Sequence, residues 1–423
     1  MSMRRSLLIA CLAMVSSMAA AQGMPMQMGG PAATVTANVL RHAGSGTDLE
    51  PGAAAPPMLM RMTGNNWMLM LHGVAFVVEQ QQTGPRGDDK FYSANWLMPM
   101  AQRDFGRGQL TLRTMLSLEP ATITGRYYPE LFQQGETAYG RPIVDGQHPH
   151  NFFMEIAGMW DQRLGDKALL TFYSALVGDP ALGPTAFPHR ASASEDPLAT
   201  LGHHLEDSTH ISYDVVTVGL TAGGTRGARL EGSGFHGREP DENRWHMQVG
   251  AVDSWSARLS LVPNSHWVAQ YSLGRLHSPE AVHPQEDVLR QTASVDCHYG
   301  SATKLDATAV WGRNHTVGEA QNANAYLLEA TFHLGKKQSA WTRMENADRT
   351  SDLLKAAAPS AETVIGRVQA YTAGYAHSLW TGNLGAAELG AQATGYATPA
   401  RLVADYCAHP WGVAAFVRFQ LGK

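Results

Sequence analysis

Eighteen histidines are spread along the 423 residues, and two groups of them could hold a ligand. His148-Pro149-His150 sets two imidazoles side by side with Asp145 close by, and His189, His203, His204, Asp207 and His210 occupy the next long connection and its strand end. Imidazoles and carboxylates suit borderline metals such as zinc or copper. Met24-Pro25-Met26-Gln27-Met28 adds thioethers, which favour copper(I). The candidate ligands are therefore His148, His150, His203, His204, His210, Met24, Met26 and Met28. Their spacing matches no strong site pattern, and each histidine could equally hydrogen-bond within its loop.

Catalysis has little behind it. Ser233 and His236 are close in sequence, but strand alternation turns them to opposite faces, which prevents a direct Ser–His contact. Glu155 and Asp161, six residues apart on one strand, stand about 20 Å apart, too far for paired-carboxylate hydrolysis. No Walker or Rossmann glycine pattern is present. No catalytic residue, and no enzyme, is expected.

Strands must position these groups. The end of the chain, Pro410 to Lys423, carries Trp411, Val413, Ala415, Val417, Phe419 and Leu421 on one face and Arg418 and Gln420 on the other. An apolar outside with a polar inside is the pattern of a lipid-facing barrel strand. The same period predicts strands over 67–82, 90–103, 108–119, 150–162, 167–178, 209–222, 228–238, 253–262, 266–279, 288–300, 304–315, 324–335, 338–347, 362–378, 384–397 and 411–422. That is an all-β, closed antiparallel transmembrane β-barrel of about 16 strands, with 14 to 18 open, and an even count is what bacterial single-chain barrels use. Short links such as Asp104 to Arg107 alternate with long ones at 120–149, 179–208, 238–252, 280–287, 348–361 and 398–410. This predicts short periplasmic turns opposite long extracellular loops. Trp67, Phe91, Tyr92, Trp96, Trp160, Trp267, Trp311, Trp341, Trp380 and Trp411 are candidates for the interfacial girdles.

Before the strands, Arg4 and Arg5 precede an apolar run from Leu7 to Val15, and Ala19-Ala20-Ala21 has the small-residue pattern of a signal cleavage site. The organisation expected is a signal peptide at 1–21, a flexible periplasmic leader rich in Met, Pro, Gly and Ala at 22–66 that enters the lumen at most in part, and the barrel at 67–423. The place this predicts is the outer membrane of a Gram-negative bacterium. A net charge of -5 argues against nucleic acid. The partners expected are outer-membrane lipid and small polar solutes or ions, in a monomer or a homotrimer. Cys297 and Cys407, too few for a disulfide framework, are expected as small buried thiols.

Assigning the apolar set to lipid sends Arg113, Glu119, Glu155, Arg258, Arg290, Asp296, Arg343, Arg367 and Arg418 into the lumen. Charges of both signs suit a water-filled pore, the favoured reading; the alternative is a plugged lumen in which they neutralise one another. The connection from Pro120 to His150 is the expected constriction, with Arg126, Glu130, Glu136, Arg141 and Asp145 near the passage. An ordered surface loop packed on Tyr127, Tyr128, Phe132 and Tyr139 is the other reading.

The stretch Gly125-Arg126-Tyr127-Tyr128-Pro129-Glu130-Leu131-Phe132, followed by Asp145-Gly146-Gln147-His148-Pro149-His150, resembles a group of Gram-negative outer-membrane β-barrel proteins. The likeness covers the barrel from about residue 65 and implies a surface location. An aspartate is expected in that group where this chain has Asn151, which weakens a ligand role there. The Met-rich leader ahead of a barrel is also loosely similar to copper-resistance outer-membrane proteins. The leading functional reading is a porin-like passive channel for small polar or ionic solutes; the alternative is a non-conducting barrel that binds or handles a transition metal such as copper or zinc.

Overall fold

A computed structural model of the chain describes residues 31–208, 212–281, 283–301, 303–354 and 363–422. The signal segment, Met24, Met26, Met28 and His210 lie outside the described residues.

The wall is built from β2 (Met68–Gln82), β3 (Asp89–Phe105), β4 (Gly108–Leu116), β7 (Phe153–Arg163), β8 (Ala168–Gly178), β9 (Ser212–Gly223), β10 (Gly227–His236), β11 (Ser254–Asn264), β12 (Trp267–His277), β13 (Asp287–Gly300), β14 (Thr303–Thr316), β15 (Asn322–Leu334), β16 (Gln338–Thr350), β17 (Val364–Thr381), β18 (Gly385–Ala397) and β19 (Trp411–Leu421). Each pairs antiparallel with its neighbour in the chain order, and β19 returns to β2, so these sixteen strands close a barrel. All sixteen overlap the segments that periodicity predicts. Closure uses both ends of the chain. β19 pairs with β2 from Gln82 to Val74, and the short β1 (Leu59–Met62) takes over from Leu71 to Met68 on the same edge. The two segments meet at Gly422, whose φ of +82° and approach to Met58 leave no room for a side chain.

Alternation explains why these segments sit as they do. In β11 Ser254, Ser256, Arg258 and Ser260 face inward and are buried, while Trp255, Leu259 and Leu261 face outward and are exposed. The exposed apolar residues of the other strands continue this belt, and no soluble protein leaves so broad an apolar wall in water. Because only helices and closed barrels satisfy every backbone group in lipid, the molecule is an outer-membrane β-barrel. No helix among the described residues is long and apolar enough to cross a membrane.

Several face assignments differ from expectation. Tyr92, Trp96 and Trp341 are buried toward the lumen rather than in a girdle: Tyr92 donates to Gln80, Trp341 to Gln392, and Trp96 packs edge-on to His72. Cys297 and Cys407 are free thiols, but Cys297 is half-buried and Cys407 exposed, so neither is the buried thiol expected.

The lumen is filled by three segments. Residues 31–57 do not form a loose leader. The helix α1 (Val35–Arg41), capped by Thr34 Oγ1 accepting from Ala37 N, lies at the short-turn end, where Val35 N donates to Gly224 O and Ala53 N to Ser265 O. Arg113 donates to the carbonyls of His42, Gly44 and Gly46, His42 meets Asp161 at 2.6 Å, and Arg258 pairs with Asp48. The second segment, 179–208, was expected as an extracellular loop and is instead almost wholly buried in the lumen. Its Arg190 pairs with Glu329 at 2.6 Å, Asp196 with Arg343 at 3.0 Å and Glu195 with Arg418 at 3.2 Å. The third is a hairpin of β5 (Tyr128–Ala138) and β6 (Arg141–Gln147), whose Phe132 stacks on Tyr406 at 4.2 Å. Tyr128 stacks on Tyr92 at 4.5 Å, so the hairpin packs on the barrel and not only on its own aromatics.

Arg113 is the main anchor of the first segment. Arg113→Ala leaves Glu155 buried without its partner, which costs about 3–5 kcal/mol, and frees residues 31–57. Hydrogen exchange is expected to show faster exchange confined to that segment and to β4 and β7.

Candidate metal centre

Ligating nitrogens of His148, His203 and His204 all lie within 4.8 Å of one another. Two elements bring them there. His148 follows β6, whose pairing with β5 through Tyr128↔Gln147 and Pro129↔Gly146 holds its base. His203 and His204 open a one-turn helix, His203–Glu206, which seats against β13, β14 and β15. The neighbouring positions His203 and His204 reach one centre because their rings stand 4.0 Å apart, tilted by 41°.

Each imidazole has one nitrogen held from outside the cluster. His148 Nδ1 lies 3.3 Å from Pro149 O, an acceptor, so it carries the proton. Gln147 donates through Nε2 to His148 O, which leaves Gln147 Oε1 to accept from His203 Nε2 at 2.9 Å. His204 Nδ1 stands 3.3 Å from Glu239 Oε1. The nitrogens left over, His148 Nε2, His203 Nδ1 and His204 Nε2, are buried and have no hydrogen-bond partner. Burial, reinforced by the neighbouring His204, holds His148 and His203 well below the usual imidazole range, so both are neutral near pH 7. Three clustered imidazoles, each with one nitrogen held by an outer acceptor and the other without a hydrogen bond, form a donor set able to coordinate a metal ion.

Among the described residues, the other expected ligand, His150, is not part of this group. His150 Nδ1 binds Glu119 Oε2 at 2.9 Å, and the Glu119 carboxylate also accepts from the amides of His150 and Asn95. Sequence gave no reason to prefer His148 over His150. It also missed Gln147 and Glu239 as orienting acceptors; the adjacency of Gln147 to His148 was the only available signal.

Most of the expected pore-lining charges on the strands face inward, and they are met by carboxylates of neighbouring strands as well as by the lumenal segments. Arg113 pairs with Glu155 at 2.7 Å, Arg258 with Glu231 at 2.9 Å, and Arg343 with Glu329 at 3.0 Å. Arg418 pairs with Glu388 at 2.9 Å, and Arg290 donates to Asn314 and Asp207 O. Asp296 accepts from Thr308 and Ser294, and Asp145 pairs with Arg86 at 2.6 Å. Arg367 does not face the lumen: Val368, Ala370 and Thr372 are the buried set of β17, and Arg367 is exposed on the outward set with Tyr371, over the Tyr326 ring and 2.7 Å from Asp348. Glu130 is buried on β5 and Glu136 pairs with Arg244. Arg126 and Arg141 differ: Arg126 is half-exposed against Glu242 and Arg141 is exposed, so neither borders a constriction. Arg126 closes a short 3-10 helix ahead of β5 and Arg141 opens β6 beside the hairpin turn, both outside the barrel alternation.

No protein-family model matches the chain, and no curated protein matches it in sequence. Among solved structures it is similar to the anion-selective porin from Comamonas acidovorans, at 11% identity over 84% of this chain and 99% of that one, with a TM-score of 0.48. OmpT of Vibrio cholerae, in its trimer form, shares 9% identity over 83% and 99% of the two chains, with a TM-score of 0.45. A mutant Rh. blastica porin shares 11% over 84% and 100%, with a TM-score of 0.40.

Gly135, at φ +128°, lies against the ring of His204; a Cβ there would stand 2.6 Å from His204 Nε2. Gly135→Ala is expected to displace that ring and to lower apo-protein stability by about 1–3 kcal/mol, read as an earlier loss of the heat-modifiable gel band.

Proposed function

We propose that this outer-membrane barrel holds a borderline divalent transition metal, zinc or copper(II), at His148, His203 and His204. The observation that carries the reading is three buried or partly buried imidazoles whose ligating nitrogens lie within 4.8 Å of one another, each with one nitrogen that makes no hydrogen bond. Other buried lumenal atoms, such as Glu130 Oε2 and Glu206 Oε2, also lack a hydrogen bond, and an unmet buried acceptor costs about 1–3 kcal/mol. Three of them converging on one point make sense when a cation completes them. The chain's own residues then bind and orient: Gln147, Pro149 O and Glu239 fix which nitrogen of each ring is free.

Passive passage of small polar or ionic solutes is the second reading, favoured by the closed sixteen-stranded wall. It requires water between the inward charges, and Arg113, Arg258, Arg343 and Arg418 are instead paired with residues 31–57, 179–208 or neighbouring strands. A conducting state therefore needs one of those segments to withdraw.

Calorimetric titration of the refolded mature chain with zinc or copper(II) is expected to give one site. Substituting alanine for His148, His203 or His204 should weaken it at least about 100-fold, beyond the 10–100-fold cost of losing an outer-shell partner. His150→Ala should leave it within about 3-fold, since His150 is outside the group. Absence of saturable binding contradicts the metal reading. Steady conductance steps of nanosiemens order from the metal-free chain in a planar bilayer would favour the open channel instead.

A further inference from the structure

On the strength of the metal reading above, we infer that Glu136 is the fourth donor of the site, supplying one carboxylate oxygen while its other oxygen stays on Arg244.

Glu136 Oε1 stands 3.2 Å from His148 Nε2, and both atoms are buried without a hydrogen bond. The proton of His148 is on Nδ1, facing Pro149 O. A carboxylate lone pair and an imidazole lone pair therefore face each other across a contact that repels when nothing lies between them. Four donors about 2.0–2.1 Å from a zinc ion at tetrahedral angles stand about 3.4 Å apart, close to the separation seen. A cation placed there turns the repulsion into two bonds.

The backbone is built to bring this carboxylate in. β5 and β6 lose register between Gln134 and Thr137, and the bulge holds Glu136 at φ +59° next to Gly135 at φ +128°. A non-glycine residue kept in that region is strained, and such strain persists where surrounding contacts over-determine it. Arg244 supplies the contact: it binds Glu136 Oε2 and also donates to Asn151 Oδ1, which fixes the carboxylate with Oε1 turned to His148. Glu136 is not within the 4.8 Å circle shared by the three imidazoles. Loading draws its carboxylate toward the other two rings through its side-chain torsions. Arg244 leaves a single oxygen available, so Glu136 binds through one oxygen and the donor set is three nitrogens and one oxygen.

Cobalt(II) titrated into the refolded mature chain is the test, because four-coordinate cobalt absorbs visible light far more strongly than six-coordinate cobalt. The wild type is expected to develop the intense four-coordinate band. Glu136→Gln is expected to lose or shift that band and to bind about 10–100-fold more weakly. Glu239→Gln, which alters only the acceptor behind His204, is expected to weaken binding while the band keeps its shape. If Glu136→Gln does not give a heat-modifiable folded barrel, Glu136→Asp, with its carboxylate set back by one methylene, serves in its place with a shifted band expected. An unchanged band and affinity in the folded Glu136 variant overturn the assignment of Glu136 alone. A wild type that binds no cobalt, zinc or copper overturns this assignment and the metal reading together.

Discussion

A charged side chain that points into a closed barrel has to be met by something inside it. Strand alternation sends one residue in two inward, and here many of these carry charge. Bulk water in a wide pore would meet them; in this molecule other parts of the chain do. Arg113, Arg258, Arg343 and Arg418 each bond to an inserted segment, and each also pairs with a carboxylate on a barrel strand. The wall and its filling are therefore one structure. Taking away a segment would leave these strand pairs without the groups that the segment places against them, and breaking a buried pair is costly.

Against that background the histidine cluster stands apart. His148, His203 and His204 are brought together by two different inserted segments, the β5–β6 hairpin and residues 179–208, so the site exists only when both are seated. Its position couples metal occupancy to the packing of the lumen. Arg349 donates to Leu201 O, and Leu201 N donates to Glu345, which tie the stretch just before His203 to β16. The barrel thus supplies rigidity to a site whose ligands all come from connections. A functional site carried on loops and held by a rigid scaffold is the usual division of labour.

The strands were legible because a period of two needs only local sequence. The last strand, with Trp411, Val413, Ala415 and Phe419 outward and Arg418 inward, shows the clean case. Reading failed where a face is apolar on both sides or where polarity misleads. Glu329 is buried in the lumen between Arg190 and Arg343, while Tyr326, Leu328 and Phe332 on the same strand keep the belt apolar. The filling was not legible, because it depends on partners far apart in sequence. Arg190 finds Glu329, and Arg258 finds Asp48, across distances for which periodicity carries no information. The histidines announced their chemistry by type, but Tyr128↔Gln147 pairing and the one-turn helix at His203 decide which nitrogens converge.

Crystals of the mature chain grown with zinc would locate the ion by an anomalous difference map. One strong peak is expected about 2.0–2.1 Å from His148 Nε2, His203 Nδ1 and His204 Nε2, with residues 179–208 and the β5–β6 hairpin seated in the lumen. No peak there, with the three nitrogens hydrogen-bonded to water or to one another, would contradict the metal reading.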